Sequence, residues 1–322
     1  MTNSEKSVSY STNGDGSSSS HQIYNVLLTI LEYILIHLKF FYYILEHIFF
    51  MIFPREEDVK GEIVLITGAA HGIGKQTALK YASLGATVVC LDINEKLNKE
   101  TVKEIQSRGG NAHHYVCDVL KRDDIIQVAE KIKNEVGTVS ILVNNAGIMP
   151  CHSLLQHTDG EIRKMFEINV MAHFWLIQTY LPDMITNNHG HIVALSSCAG
   201  LFGLRNLVPY CASKFAVKGL MLSLVEELRH DPRNLNIKFT TIYPYMVDTG
   251  LCKRPKIKFP NFMRLVTQEE AAEAIVKAQR RGIEEFAIPN RFLYLHRLSR
   301  LFPRRATDVL FDFMEAYVDS DL

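Results

Sequence analysis

With 322 residues, 47% of them apolar and 22% charged, the chain has material for one large domain or two ordinary ones and is excluded from the disordered and fibrous classes. Its 35 Lys and Arg balance 35 Asp and Glu, so no overall field draws in a phosphate backbone and nucleic acid is not expected as a partner. The six cysteines (Cys90, Cys117, Cys151, Cys198, Cys211, Cys252) form no CxxC pair and no zinc-binding spacing, which reads as reduced thiols on a cytosol-facing domain.

Residues 1–20 are rich in Ser, Thr, Asn and Gly and are expected to be a disordered tail. The segment 21–54 is different: 24 of the 31 residues from 23 to 53 are apolar. Glu32, Lys39 and Glu46 interrupt it at every seventh position, a spacing that drifts only about 20° per step around a helix. Asn25, Thr29, Tyr43 and His47 fall near the same stripe. The expectation is an apolar helix with one polar seam, associated with a membrane in the interface plane or as a hairpin. A simple span is the competing arrangement, because large apolar residues gain about as much as three central charges lose.

From 55 to 290 the pattern alternates. Strands are predicted at 62–67, 86–92, 111–117, 139–145, 191–197 and 236–243, and a last one at 284–290. Several are continuous apolar runs, as in strands covered on both faces. Amphipathic helices are predicted near 73–84, 94–108, 121–136, 160–187, 209–230 and 267–282. This is the pattern of an α/β, doubly wound parallel sheet of the Rossmann type. Residues 291–322 place Arg291, Arg297, Arg300, Arg304 and Arg305 among Phe, Leu and Tyr. They read as a basic amphipathic C-terminal extension, which either meets anionic headgroups or packs on the domain.

Chemistry is concentrated in a few places. The first strand runs into Thr67-Gly68-Ala69-Ala70-His71-Gly72-Ile73-Gly74. Glycines there allow a tight turn and close approach of backbone N–H groups to a pyrophosphate at a helix N-terminus. Asp92 ends the second strand, where a carboxylate accepts ribose hydroxyls and repels a 2′-phosphate; no Arg or Lys flanks His71, so NAD is expected over NADP. Asp92 could equally cap the helix that follows. Tyr210 and Lys214 share a helix face, and an ammonium beside a phenol favours the phenolate. Ser197, Asn144-Asn145-Ala146-Gly147 and Asn169 fall at or just beyond carboxyl ends of strands, the edge where such sheets bind ligands. No His/Cys/carboxylate cluster is visible, and no metal is expected.

TGAAHGIG (67–74), CDV (117–119), NNAG (144–147), Asn169, Ser197 and YCASK (210–214) together resemble the short-chain dehydrogenase/reductase family over about residues 60–290. The resemblance implies Tyr210 as general acid/base, Lys214 tuning it and holding the nicotinamide ribose, and Ser197 polarising the substrate C–O group. It also implies that Asn169 holds a relay water, Asp118 contacts the adenine and Asn144 braces the central strands. Cofactor contacts are further implied for Gly68, His71, Gly72, Ile73, Gly74, Asp92, Val119, Asn145, Ala146, Gly147, Pro244, Val247 and Thr249. LVNNAG, NVMAHFW (169–175), NNHGHIV (187–193) and the apolar N-terminal segment are similar to a membrane-associated branch. That branch includes epidermal-type retinol dehydrogenases and the 17β-hydroxysteroid dehydrogenases of types 11 and 13. One departure stands out: Tyr245 follows Pro244 where many members have Gly.

The implied activity is NAD-dependent hydride transfer to or from a lipophilic alcohol or ketone (retinoid, 17β-hydroxysteroid or long-chain alcohol). Met149, Leu204 and Tyr245, with Pro150, Leu201, Phe202, Met246 and the 250–266 loop, are the expected substrate neighbours. The resemblance also implies a homodimer through the helices carrying Asn169 and Tyr210, at the endoplasmic reticulum membrane, a lipid droplet or both, with the catalytic domain facing the cytosol. The competing readings are an NADPH-dependent retinal reductase and a non-catalytic lipid-droplet or membrane scaffold.

Overall fold

The structure, a computed structural model, describes residues 15–260 and 263–321. The chain divides into two compact units between Arg55 and Glu56. The first is built on α1 (Asp15–Ile52), one helix of 38 residues. Residues 15–20 of the expected tail are therefore helical, since extending an existing helix needs no new nucleus; residues 1–14 of that tail lie outside the described residues. No Gly or Pro occurs between 21 and 52, so nothing bends α1 back and the hairpin arrangement does not form. The helix stops just short of Pro54, whose ring disfavours helical backbone before it. At about 1.5 Å per residue it is roughly 57 Å long. The large apolar side chains from Ile23 to Phe53 are all exposed. Along the seam Tyr42 donates to Glu46 (3.3 Å), and the Thr29 hydroxyl folds back onto the Asn25 carbonyl (2.9 Å).

The second unit, Glu56–Leu322, is built on seven strands: β1 (Ile63–Thr67), β2 (Thr87–Asp92), β3 (Asn111–Val116), β4 (Ile141–Asn144), β5 (Gly190–Leu195), β6 (Ile237–Pro244) and β8 (Glu285–Ile288). They lie in the order β3-β2-β1-β4-β5-β6-β8, every pairing parallel. All of β4 and β5 is buried because helices cover both faces. On one side α2 (Gly72–Ser83) lies over β1 and β2, α3 (Glu95–Ser107) over β2 and β3 and α8 (Gln268–Arg280) over β6 and β8, and they contribute Ala78, Ile105 and Ile275 to one core. On the other, α4 (Arg122–Glu135), α6 (Ala172–Thr186) and α7 (Val208–Arg229) contribute Ile132, Met184 and Val217. Strand order reverses between β1 and β4, so their carboxyl ends open a crevice at the switch point.

Two features differ from the sequence reading. The helix expected over 160–187 is α5 (Asp159–Phe166) joined to α6 through a π-helical turn, Glu167–Met171. The span 250–266 is not loop throughout: β7 (Pro255–Ile257) pairs antiparallel with β9 (Ala316–Val318). Strands of three residues carry no readable period. Residues 291–321 pack on the second unit, one of the two arrangements left open by the sequence. In α9 (Arg291–Ser299) Phe292 and Leu293 are buried with Tyr243 of β6 and Ala287 of β8. Tyr294, Leu298, Leu301 and Phe302 stay exposed, and α10 (Arg304–Met314) buries no residue fully.

Candidate active site

A cavity of about 460 Å³ opens at the carboxyl edge of the sheet. Its first wall is the turn from β1 into α2. Gly68 and Gly72 adopt φ of +69° and +61°, the left-handed region that favours glycine. Gly74 faces away from the cavity and packs under the turn: a Cβ there would stand 2.1 Å from the Gly68 carbonyl oxygen. Gly68, His71, Gly72 and Ile73 line the cavity, and His71 takes the N-cap position without a side-chain capping bond. The first-turn N–H groups of α2 are thus left toward the crevice, the arrangement that receives a pyrophosphate. A glycine cradle that a Cβ would fill, followed by a helix N-terminus, fits a dinucleotide.

Asp92 lines the cavity at the end of β2. Its carboxylate accepts from the backbone N–H of Ala70 (3.0 Å) and of Asn94 (2.8 Å). It does not cap α3; Asn94 does, accepting from Leu97 N–H. Asp118 and Val119, beyond β3, line the same end.

At the end of β4, Asn145, Ala146 and Gly147 line the cavity. The bracing expected of Asn144 falls to its neighbour. Asn145 Nδ2 donates to the Thr67 carbonyl (2.8 Å) and more weakly to that of Gly68 (3.3 Å). The backbone N–H groups of Asn145 and Ala146 both donate to the Thr67 hydroxyl (3.0 Å each). Asn144 is buried, but its side-chain amide meets no hydrogen-bond partner among the described residues. Asn145, the first residue beyond β4, turns its amide onto the end of β1, and Asn144 within the strand does not.

Ser197, Tyr210 and Lys214 all line the cavity. Ser197 starts the short 3₁₀ turn after β5; its hydroxyl accepts from Ala199 N–H (3.1 Å) and points at the Pro244 carbonyl (3.4 Å). Tyr210 enters in the first turn of α7, and Lys214 follows one turn on. The Lys214 ammonium donates to the Leu195 carbonyl (2.8 Å) and stands 5.7 Å from the Tyr210 ring centre. Burial lowers the Lys214 pKa to about 8.

The phenol does not follow the sequence expectation. Burial pushes the Tyr210 pKa above its ordinary value, and the hydrogen bond with Ser197 only partly offsets this. Desolvation disfavours the charged form of both residues of the pair.

Asn169 does not line the cavity. The π turn directs its fully buried amide at the backbone behind the wall. Oδ1 accepts from Ile148 N–H (2.9 Å), while Nδ2 donates to the Ile148 carbonyl (2.9 Å) and the Ser213 hydroxyl (3.1 Å). A Cβ placed on Gly147 would lie 3.1 Å from Asn169 Oδ1 and 3.6 Å from Lys214 Nζ, so the three meet around that glycine.

The remaining wall is apolar. Met149, Leu204, Tyr245 and Met246 line it, whereas Pro150, Leu201 and Phe202 do not. Pro244, Val247 and Thr249 complete the rim, with Thr249 over the Gly72 turn. Tyr245 stacks on Phe292 (4.6 Å between ring centres), and its N–H donates to the Ile288 carbonyl (2.9 Å). Of the 250–266 loop, Leu251 and Cys252 line the cavity; residues 261–262 lie outside the described residues. Among the lining residues that escaped the sequence reading are Lys164, Ile168, Leu207 and Val318. Val318 belongs to β9, and nothing in its local sequence marks it.

One grouping was not legible in the sequence: His152 and His157, between β4 and α5, and Glu161 in the first turn of α5 bring three donor atoms within 4.8 Å of one another. A 3₁₀ turn (Leu154–Gln156) folds them together, which sequence spacing does not reveal.

Residues 62–257 match the family model for short chain dehydrogenases. Short-chain dehydrogenase/reductase family 16C member 6 of Bos taurus is 44% identical over 242 residues, 74% of this chain and 76% of the relative. Epidermal retinol dehydrogenase 2 of Mus musculus is 36% identical over 85% of this chain and 89% of its own. For 17-beta-hydroxysteroid dehydrogenase 13 of Homo sapiens the figures are 37%, 87% and 93%. Among solved structures, a short-chain dehydrogenase/reductase from Burkholderia phymatum in complex with NAD superposes with a TM-score of 0.68 at 25% identity, covering 76% of this chain and 94% of that one. A metagenomic short-chain oxidoreductase in complex with NADP gives 0.61 at 27%, covering 72% and 97%. The switch-point cavity agrees with these likenesses along the whole sheet, and the chain accordingly belongs to the short-chain dehydrogenase/reductase family of oxidoreductases.

Proposed function

We propose that the protein is a membrane-associated, NAD-dependent dehydrogenase of a lipophilic alcohol, acting on a retinoid, a 17β-hydroxysteroid or a long-chain alcohol. The observation that carries this reading is that Ser197, Tyr210 and Lys214 line one cavity with the Gly68–Gly72 turn and Asp92. When bound, the dinucleotide supplies the site that takes or gives hydride. Ser197 donates a hydrogen bond to the substrate oxygen. Tyr210 exchanges a proton with that same oxygen through its hydroxyl, and its burial excludes competing water. Lys214 would hold the nicotinamide ribose and supply the positive charge that helps the phenol release its proton.

Asp92 supports NAD: its carboxylate lines the adenosine end, and the lysines that line the cavity, Lys164 and Lys214, belong to other walls. Met149, Leu204, Tyr245 and Met246 favour a lipophilic substrate. The exposed apolar surface of α1 supports a membrane or lipid-droplet location, as do the names of the relatives for the substrate class. Exposed Phe174, Phe215 and Leu222 on α6 and α7 suit a homodimer through those helices.

The test is Tyr210→Phe in membranes supplied with NAD or NADP and a panel of retinols, hydroxysteroids and long-chain alcohols. The variant should bind NAD as the parent does and lose turnover by about 100- to 10,000-fold. Unchanged turnover removes Tyr210 from the chemistry. A parent protein that turns over nothing favours the scaffold reading, and a clear preference for NADPH with retinal favours the reductase.

A further inference from the structure

We infer that His152, His157 and Glu161 form a binding site for a zinc-like divalent cation on the outside of the substrate wall. The inference does not rest on the proposed oxidoreductase chemistry. Glu161 Oε2 stands 3.3 Å from His152 Nε2 and 3.9 Å from His157 Nδ1. Two ligands held about 2.0–2.1 Å from one tetrahedral ion stand roughly 3.4 Å apart, so these separations are already close to those of a bound set.

The imidazoles stack with centres 3.8 Å apart. The side chain of His157 is 0% exposed and that of His152 6%. Both ring nitrogens of His157 and Nδ1 of His152 meet no hydrogen-bond partner among the described residues. Buried nitrogens are seldom left so, and coordination through Nδ1 satisfies one of the two on the His157 ring.

The carboxylate is oriented for this task. Glu161 sits in the first turn of α5, where the Thr158 N–H (2.9 Å) and hydroxyl (3.1 Å) both donate to Oε2. Such outer hydrogen bonds fix ligand direction in metal sites. Two imidazoles and one carboxylate suit zinc or cobalt, whereas magnesium and calcium demand oxygen ligands. Three protein ligands leave a fourth position for water.

The site has a structural consequence for the cleft. Met149 lies just before His152, and Lys164 lies one helical turn after Glu161; both line the cavity. A cation held by the three residues therefore ties together the two ends of one substrate-wall segment.

The experiment uses the full chain in detergent, stripped with a chelator and titrated with ZnSO4 by calorimetry, then with Co²⁺ by absorption. The expected result is one Zn²⁺ per chain and visible bands of tetrahedral Co²⁺ without thiolate-to-cobalt charge transfer. His157→Gln and Glu161→Gln should each weaken binding by at least about 100-fold. The glutamine at 161 can still accept from Thr158, which preserves the helix cap. Failure of the parent to bind at micromolar Zn²⁺, unchanged binding in both variants, or a thiolate band in the cobalt spectrum overturns the inference. The cobalt spectrum of the unaltered protein decides the question if a variant does not fold.

Discussion

Gly74→Ala places one methyl group where the structure has no room for it. The added carbon would meet the Gly68 carbonyl oxygen at 2.1 Å and Asn145 Nδ2 at 2.6 Å. Ordinary contact begins near 3.4 Å, so the turn must open by roughly 1.3 Å. The neighbours are a backbone carbonyl and a side chain already bonded to Thr67, neither of which yields cheaply. Overpacking costs about 1–3 kcal/mol, and displacing the Asn145 amide forfeits about 1 kcal/mol per hydrogen bond. A total of about 3–4 kcal/mol corresponds to a Tm lowered by roughly 10 °C in a unit of this size. Because the same turn lines the cavity, dinucleotide affinity should fall at least about tenfold. Gly219→Ala is the control: it lies within α7, its added carbon meets nothing within 4 Å, and it should gain about 0.5–1 kcal/mol. Thermal unfolding and fluorescence titration with NADH report both quantities. If Gly74→Ala melts within 2 °C or so of the parent and binds NADH as tightly, the packing argument for this turn is wrong.

Asn169→Ala removes the partners of Ile148 N–H and C=O and should destabilise the unit by about 2–4 kcal/mol; an Ile148 amide that exchanges with solvent no faster than before would refute this. Stability should also fall with acid. Burial lowers the pKa of His191 and of His173 to about 3, below the unfolded value near 6.5. The unfolded chain therefore binds more protons between these limits, so the stabilisation is complete above about pH 6.5 and is lost progressively toward pH 3. Each histidine contributes a slope of about 1.4 kcal/mol per pH unit. His191→Gln keeps a partner for Thr240 and should remove one such slope from denaturant midpoints measured between pH 6 and 4; an unchanged slope would show that other groups govern it. Deleting 23–53 should move the protein from the membrane pellet to the supernatant, and persistent sedimentation would point to the exposed apolar face of α9.

The parts of the site legible in the sequence are those fixed by short-range geometry. Gly68, Gly72 and Asp92 sit where a β–α–β unit must place them, and Tyr210 and Lys214 share a helix face by their spacing alone. What stayed hidden depends on distance or burial. The π turn that redirects Asn169 breaks the helical period without a Gly or Pro to mark it. The assignment of bracing to Asn144 rather than Asn145 turned on which of two adjacent amides reaches the carbonyls at the end of β1. The phenol of Tyr210 shows that a charged neighbour four residues away says little until the loss of water is weighed against it. His152, His157 and Glu161 converge only because a 3₁₀ turn intervenes.

The antiparallel pair between Pro255–Ile257 and Ala316–Val318 also sets an order of assembly. Residues 63–147, which shape the nucleotide cradle, emerge from the ribosome long before Val318, which lines the same cavity. Cys151, at the start of the metal-ligating segment, accepts the Asp321 N–H on its carbonyl (2.7 Å), and its thiol donates to the Asp319 carbonyl (3.4 Å). The substrate side of the binding chamber is therefore clasped by residues far along the chain from those that shape the nucleotide cradle.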